Sequence, residues 1–286
     1  MASNQAGDPD APWRPIISVL LPHPPIAVPA VAGERGARCA ATTEACRRVA
    51  ERLVAQVPDR LVLISPHTPR DRRAFGFVGD RRAGDRLRGD LGRFGAPGAG
   101  VDLPSDVELA TRLGGQASAS GPELRRLPNQ PLDHGAVVPL SFLVEAGWSG
   151  PTTVIALPWQ HSAVDGRRFG RRLANALADI GGRTALVASG DMSHRCLPDA
   201  PAGFHPRAVE FDRELTRLVA AGDFAAIARI DPELRELAAE DTSETALIVT
   251  AAHDFEARGA EVLSYEHPFG VGYLVAVFYD RSSPAA

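Results

Sequence analysis

The sequence predicts an α/β fold, a three-layer α/β/α sandwich with a largely parallel or mixed central sheet. Three observations predict it. Short apolar runs rich in Val, Ile and Leu alternate with amphipathic stretches along most of the chain. Those runs are apolar at consecutive positions, as strands buried on both faces are. Four of them end close to a histidine: residues 16–21 before His23, 61–64 before His67, 153–157 before His161, and 185–189 before Asp191 and His194. Ligands of open α/β sheets bind beyond the carboxyl ends of the strands. The active site is therefore expected along that one edge.

The totals fit one large catalytic domain. A chain of 286 residues with 44% hydrophobic residues has ample length to bury a core. We expect a flexible leader over residues 1–14, a single domain over 15–280 and a short tail over 281–286. The leader is polar and lacks both a basic start and an apolar core, so it does not read as a signal peptide. The net charge is −4, and no basic stripe interleaves with aromatics, which argues against nucleic acid as a partner. No apolar run reaches the roughly 20 residues that span a bilayer. The three cysteines match no zinc spacing. Cys39 and Cys46, seven apart on a helical pattern, are expected on one packed side, and a reduced cytoplasmic compartment fits. All 31 basic residues are Arg, so Schiff-base chemistry and a P-loop lysine are excluded.

Taken in order, the first strand leads to His23, and residues 34–57 form a long amphipathic helix stopped by Pro58. The second strand runs to Ile64, and residues 74–78 add another. Residues 80–100 are rich in Arg, Gly and Asp and read as a surface excursion or lid with a mobile tip. Ser105, with Glu108 three later, marks a helix start. A further helix opens around Asp133-His134-Gly135 and runs to about Ala146, with Pro139 tolerable only near its start. A strand at 153–157 precedes a helix over 164–180 that ends at Gly181-Gly182. After the strand at 185–189, helices are expected over 206–220 and 224–230. An apolar helix then follows Glu240-Asp241-Thr242-Ser243-Glu244 to Ala257. Strands at 261–265 and 272–279 close the chain, giving the sheet an antiparallel edge.

His205 and His253 sit in ordinary helical surroundings. His23 and His67 differ, because each follows an apolar strand and is flanked by prolines that stiffen the backbone, as a metal ligand requires. Two imidazoles need a third ligand, and two histidines with one carboxylate form the usual set for non-haem Fe(II) oxygen chemistry. Asp241 and Glu244 read as a capping box around the helix start. That leaves Glu240 as the expected carboxylate ligand, with a solvated surface glutamate as the alternative.

These motifs together resemble the class III extradiol ring-cleavage dioxygenases of the LigB-like superfamily. The similarity rests on Pro22-His23, Ser65-Pro66-His67, Asp133-His134-Gly135, Ser189-Gly190-Asp191-Met192-Ser193-His194 and His267-Pro268-Phe269-Gly270, and it extends over nearly the whole chain. The resemblance implies iron held by His23, His67 and a late glutamate, matched to Glu240. It implies His194 as catalytic acid/base, His134 as a catalytic group touching substrate, and Asp191 and His267 near the substrate. The implied cofactor is Fe(II), with Mn or Zn as alternatives. The implied reactants are a small aromatic diol and O2, and relatives work as homodimers or with a small second subunit. The related Memo-like proteins share the scaffold, so a non-catalytic metal-binding or regulatory protein is the second reading. A zinc hydrolase in the same pocket is the third.

Overall fold

The computed structural model describes residues 12–78, 85–115, 122–128 and 130–284. Its strands are β1 (Ile17–Leu21), β2 (Arg60–Ser65), β3 (Phe75–Val78), β4 (Arg86–Leu91), β5 (Ala96–Pro104), β6 (Leu124–Leu127), β7 (Thr152–Ala156), β8 (Thr184–Ser189), β9 (Glu261–Glu266) and β10 (Tyr273–Asp280). Its α-helices are α1 (Pro29–Ala32), α2 (Ala40–Ala55), α3 (Val107–Gly115), α4 (His134–Glu145), α5 (Ala163–Ile180), α6 (Ala208–Ala220), α7 (Pro232–Ala238) and α8 (Ser243–Ala251).

Eight strands form one mixed sheet in the order β6-β3-β7-β2-β8-β1-β10-β9. The four central strands β7, β2, β8 and β1 run parallel, and every residue in them is buried. That burial explains why their sequences are continuous apolar runs. Both flanks turn antiparallel, through β3 on one side and β10 on the other, where a single antiparallel edge was expected. The side-chain alternation of each strand splits the core in two. Val62, Ile64 and Leu186 face α3, α5, α6 and α8. Leu61, Leu63 and Val187 face α2 and α4. The expected three-layer α/β/α architecture is the one observed.

α5 follows its sequence signals closely. Ser162 and Asp165 form a capping box, and Gly181 ends the helix at φ 74°. Other boundaries moved. Over 33–39 the chain is a 3-10 helix, with α2 beginning only at Ala40. At the start of α3, Asp106 receives the Leu109 amide at 3.0 Å, while Ser105 bridges to Thr152. At seven and four residues, α7 and β6 were too short to show a period in the sequence. Residues 224–229 are a 3-10 helix. Cys39 and Cys46 are both buried, as the seven-residue spacing predicts.

The expected excursion over 80–100 needs the largest revision; its first residues lie outside the described ones. From Arg86 onward it is an ordered hairpin, β4 paired antiparallel with β5. Leu87, Leu91 and Leu103 join the core against α4, and the Leu132 amide donates to the Arg88 carbonyl at 2.7 Å. Gly89 permits this approach, because a Cβ there would meet Val137 Cγ2 at 2.6 Å and the Leu132 carbonyl at 2.7 Å. The hairpin turn therefore holds Phe94 in place, and its ring centroid lies 5.4 Å from that of His134.

No helix among the described residues is long and apolar enough to cross a membrane. His253 sits in the core, with Nε2 3.0 Å from Ser18 Oγ and its Nδ1 buried without a partner. Burial, aided by the nearby Arg14 charge, pushes its pKa down from 6.5 to about 3. The unfolded chain therefore takes up a proton below pH 6.5 that the fold refuses until about pH 3. Stability present above pH 6.5 should fall as the pH drops through that window, by roughly 3 kcal/mol over two pH units. Urea unfolding at pH 7.5 and 4.5 measures it. The His253→Gln variant keeps a polar group near Ser18 without titrating and should flatten that acid limb. An unchanged acid limb would assign the effect elsewhere.

Candidate metal centre and active site

The carboxyl ends of β1, β2 and β8 deliver His23, His67 and the segment Gly190–His194 to one edge, as the sequence predicted. The N-terminus of α4 adds His134 directly beyond its N-cap Asp133, whose side chain accepts from the Ala136 amide. Donor atoms of His23, His67 and His134 all lie within 4.8 Å of one another. His23 Nε2 stands 3.1 Å from His67 Nε2.

The carboxylate at this pair is Asp241, which corrects the expectation of Glu240. Asp241 Oδ2 lies 3.2 Å from His67 Nε2 and 3.6 Å from His23 Nε2. Glu240 points away: its side chain is 1% exposed and pairs with Arg235 Nε at 2.7 Å. It accepts the amides of Thr242 and Ser243 at 2.7 and 2.8 Å, and the Ser243 hydroxyl at 2.5 Å. Glu240 thus satisfies the free N–H groups at the start of α8, the task the sequence assigned to Asp241. Of the two adjacent acids, Asp241 faces the histidine pair and Glu240 faces the start of α8. Gly190 makes room for this arrangement, since a Cβ there would stand 2.5 Å from Thr242 Cα and 3.0 Å from the Asp241 carbonyl.

Hydrogen bonds orient each group. The His23 amide donates to Asp191 Oδ1 at 2.8 Å, and the Asp191 amide donates to Asp241 Oδ1 at 2.7 Å. His23 Nδ1 lies 3.0 Å from Ser189 Oγ. Thr68 donates to Asp133 at 3.0 Å.

The electrostatics call for a cation. Burial alone would lower the His23 pKa, yet the carboxylates of Asp191 and Asp241 more than offset it and raise it to about 9. Burial raises Asp241, and the charge and hydrogen bond of His23 overcome that and hold it well below the usual carboxylate range. Burial pushes Asp191 up. His134 is pushed down to about 4, first by burial and then by His23 and His67, so it is neutral near pH 7. A metal ion bound between His23, His67 and Asp241 would replace the proton that the buried carboxylates otherwise hold on His23. The donor spacing fits such an ion. Three donors each about 2.1 Å from one centre stand roughly 3.0–3.5 Å apart.

A cavity of about 390 Å³ opens beside this cluster, a size suited to a small ligand. His194, Asp191, Phe94, Val271, Tyr273 and Pro24 are among its walls. His194 Nδ1 is buried without a hydrogen-bond partner. Of the histidines expected at a strand end or in a motif, His161 and His267 stand apart from the cluster. His161 bonds to the Pro158 carbonyl and faces Glu244 at 3.7 Å. His267, expected near substrate, lies with its ring 5.9 Å from that of Tyr265 and is not among the cavity walls. Phe94 was missed, because only the hairpin geometry brings it to the site.

The sequence model of the catalytic LigB subunit of aromatic ring-opening dioxygenase matches residues 18–276. The chain belongs to this LigB family. A Clostridium acetobutylicum protein is 27% identical over 268 residues, covering 90% of this chain and 56% of that one. The 3,4-dihydroxyphenylacetate 2,3-dioxygenase of Escherichia coli is 30% identical over 133 residues, covering 44% of this chain and 46% of the enzyme. The chain thus spans about half the length of these curated relatives. The crystal structure of an uncharacterized Escherichia coli K12 protein superposes with a TM-score of 0.57 at 19% identity, covering 81% of this chain and 91% of that one. That likeness concerns the fold.

Proposed function

We propose that this LigB-family chain is a non-haem Fe(II)-dependent extradiol dioxygenase, opening a catechol-like ring with O2. The observation that carries the reading is the convergence of His23, His67 and Asp241, two imidazoles and one carboxylate, beside a cavity. The Escherichia coli relative named as a dioxygenase supports it. Bound iron would supply Lewis acidity and a common template for the diol and O2.

The chain's own residues have definable work. His194, in the cavity wall, would take a phenolic proton and return it later. Neutral His134 would donate a hydrogen bond to oxygen as its negative charge develops. Asp191 holds the His23 backbone in place. Phe94 and Val271 would keep water from the reacting face.

One observation favours the second reading, a Memo-like metal-binding protein that cleaves no ring. Asp241 stands where the resemblance places a glutamate, a shorter reach to the same pair. Anaerobic reconstitution with Fe(II), Mn(II) or Zn(II), followed by protocatechuate or catechol and air, separates the readings. The expected result is stoichiometric metal and a yellow ring-opened product with Fe(II). Stoichiometric metal with no product across a panel of aromatic diols would favour the binding protein. No tight metal would overturn both.

A further inference from the structure

Helix α4 carries a proline where a helix tolerates one least. Pro139 is the sixth of its twelve residues. It has no N–H for the carbonyl four residues back, that of Gly135, and a proline ring crowds that carbonyl. The Gly135 oxygen still has a partner: Ser189 Oγ donates to it at 2.6 Å across the interface between α4 and β8. A serine hydroxyl has one hydrogen. With that hydrogen committed to a carbonyl, the serine oxygen can only accept from its other neighbour, His23 Nδ1, at 3.0 Å. His23 therefore carries a hydrogen on Nδ1, and its Nε2 faces His67 and Asp241. Ser189 and His23 are buried, at 0% and 1% exposed, so solvent does not take over these bonds.

We infer that Pro139 is a positioning residue for the metal site. By withholding an N–H it reserves the Gly135 carbonyl for Ser189, and through Ser189 it fixes the His23 tautomer that presents Nε2 to a metal ion. This rests on the metal-site reading above. An alanine at 139 would restore an amide that competes for the Gly135 carbonyl. The Ser189 hydrogen could then turn towards His23 Nδ1, favouring the tautomer whose Nε2 carries hydrogen and repels a cation. Outer-shell partners of this kind set both the tautomer and the orientation of ligating histidines.

The test is Zn(II) and Co(II) affinity by competition titration in wild type, Pro139→Ala, Ser189→Ala and the double variant. Ser189→Ala should weaken binding 10–100-fold, and Pro139→Ala on the order of tenfold. Pro139→Ala should also raise the melting temperature of the metal-free protein, because the helix regains a bond. Weaker metal binding with a more stable fold is a split that a merely structural proline would not produce. The double variant should bind no worse than Ser189→Ala, since both act through one hydroxyl. In wild type, long-range 1H–15N correlation spectra of histidine-labelled Zn(II) protein should show hydrogen on His23 Nδ1. Wild-type affinity in Pro139→Ala, losses that add in the double variant, or a His23 Nδ1 without hydrogen would each overturn the relay. Failure of the wild type to bind either metal would overturn the site reading and the relay with it.

Discussion

Asp241→Asn should strip the site of metal, and Glu240→Ala should not. Asn keeps the size of the side chain and an oxygen for the Asp191 amide, which bonds Asp241 Oδ1 at 2.7 Å. It removes the negative charge 3.2 Å from His67 and 3.6 Å from His23. Loss of an outer-shell partner typically costs 10–100-fold in metal affinity, so loss of a ligand should cost about 100-fold or more. Glu240→Ala acts on the fold. It leaves Arg235, 30% exposed at its side chain, without its buried partner, and frees two amides at the start of α8. Arg235 keeps only Glu244, at 3.6 Å, so losing the pair and the two amide bonds should cost about 2 kcal/mol, a few degrees in melting temperature for a chain of this size. Metal titration and thermal unfolding of the two variants separate the effects. Metal loss in Glu240→Ala with retention in Asp241→Asn would return the ligand to Glu240.

The assignment of these neighbours shows where sequence reading stopped. The strands, their parallel centre and the shared edge carrying His23, His67 and His194 were legible, because full burial writes itself as continuous apolar runs. Asp133 was legible as the start of α4. The order Glu240-Asp241 was not, because either acid can cap a helix. The choice depends on where Arg235 lies and on how closely Gly190 lets that segment approach β8. The hairpin from Arg86 onward looked like a lid because residues 80–100 are rich in Arg, Gly and Asp. Leu87, Leu91 and Leu103 were too sparse to announce a second small sheet. His267 lay in a motif, but it is not among the walls of the cavity beside the cluster.

His194→Ala should lower turnover by about 100- to 10,000-fold while leaving metal affinity unchanged. The geometry assigns it no place among the converging donors of His23, His67 and Asp241. It lines the cavity beside Asp191, and its backbone is fixed independently of the metal by donation from its amide to the Ala238 carbonyl at 2.9 Å. The neighbouring Ser193 amide is held by the buried Asp212 at 2.8 Å. On the proposed reading, a ring in this wall would exchange a proton with a bound diol. Removing the imidazole removes the exchange without moving the turn. Its absence should also change the pH profile of the remaining turnover, because the proposed acid/base group has left the reaction. His194→Gln keeps hydrogen-bonding capacity but cannot exchange protons near neutrality, so it should be nearly as inactive as the alanine variant. Recovery of activity by Gln would make His194 a hydrogen-bonding group, and loss of metal in either variant would make it a ligand.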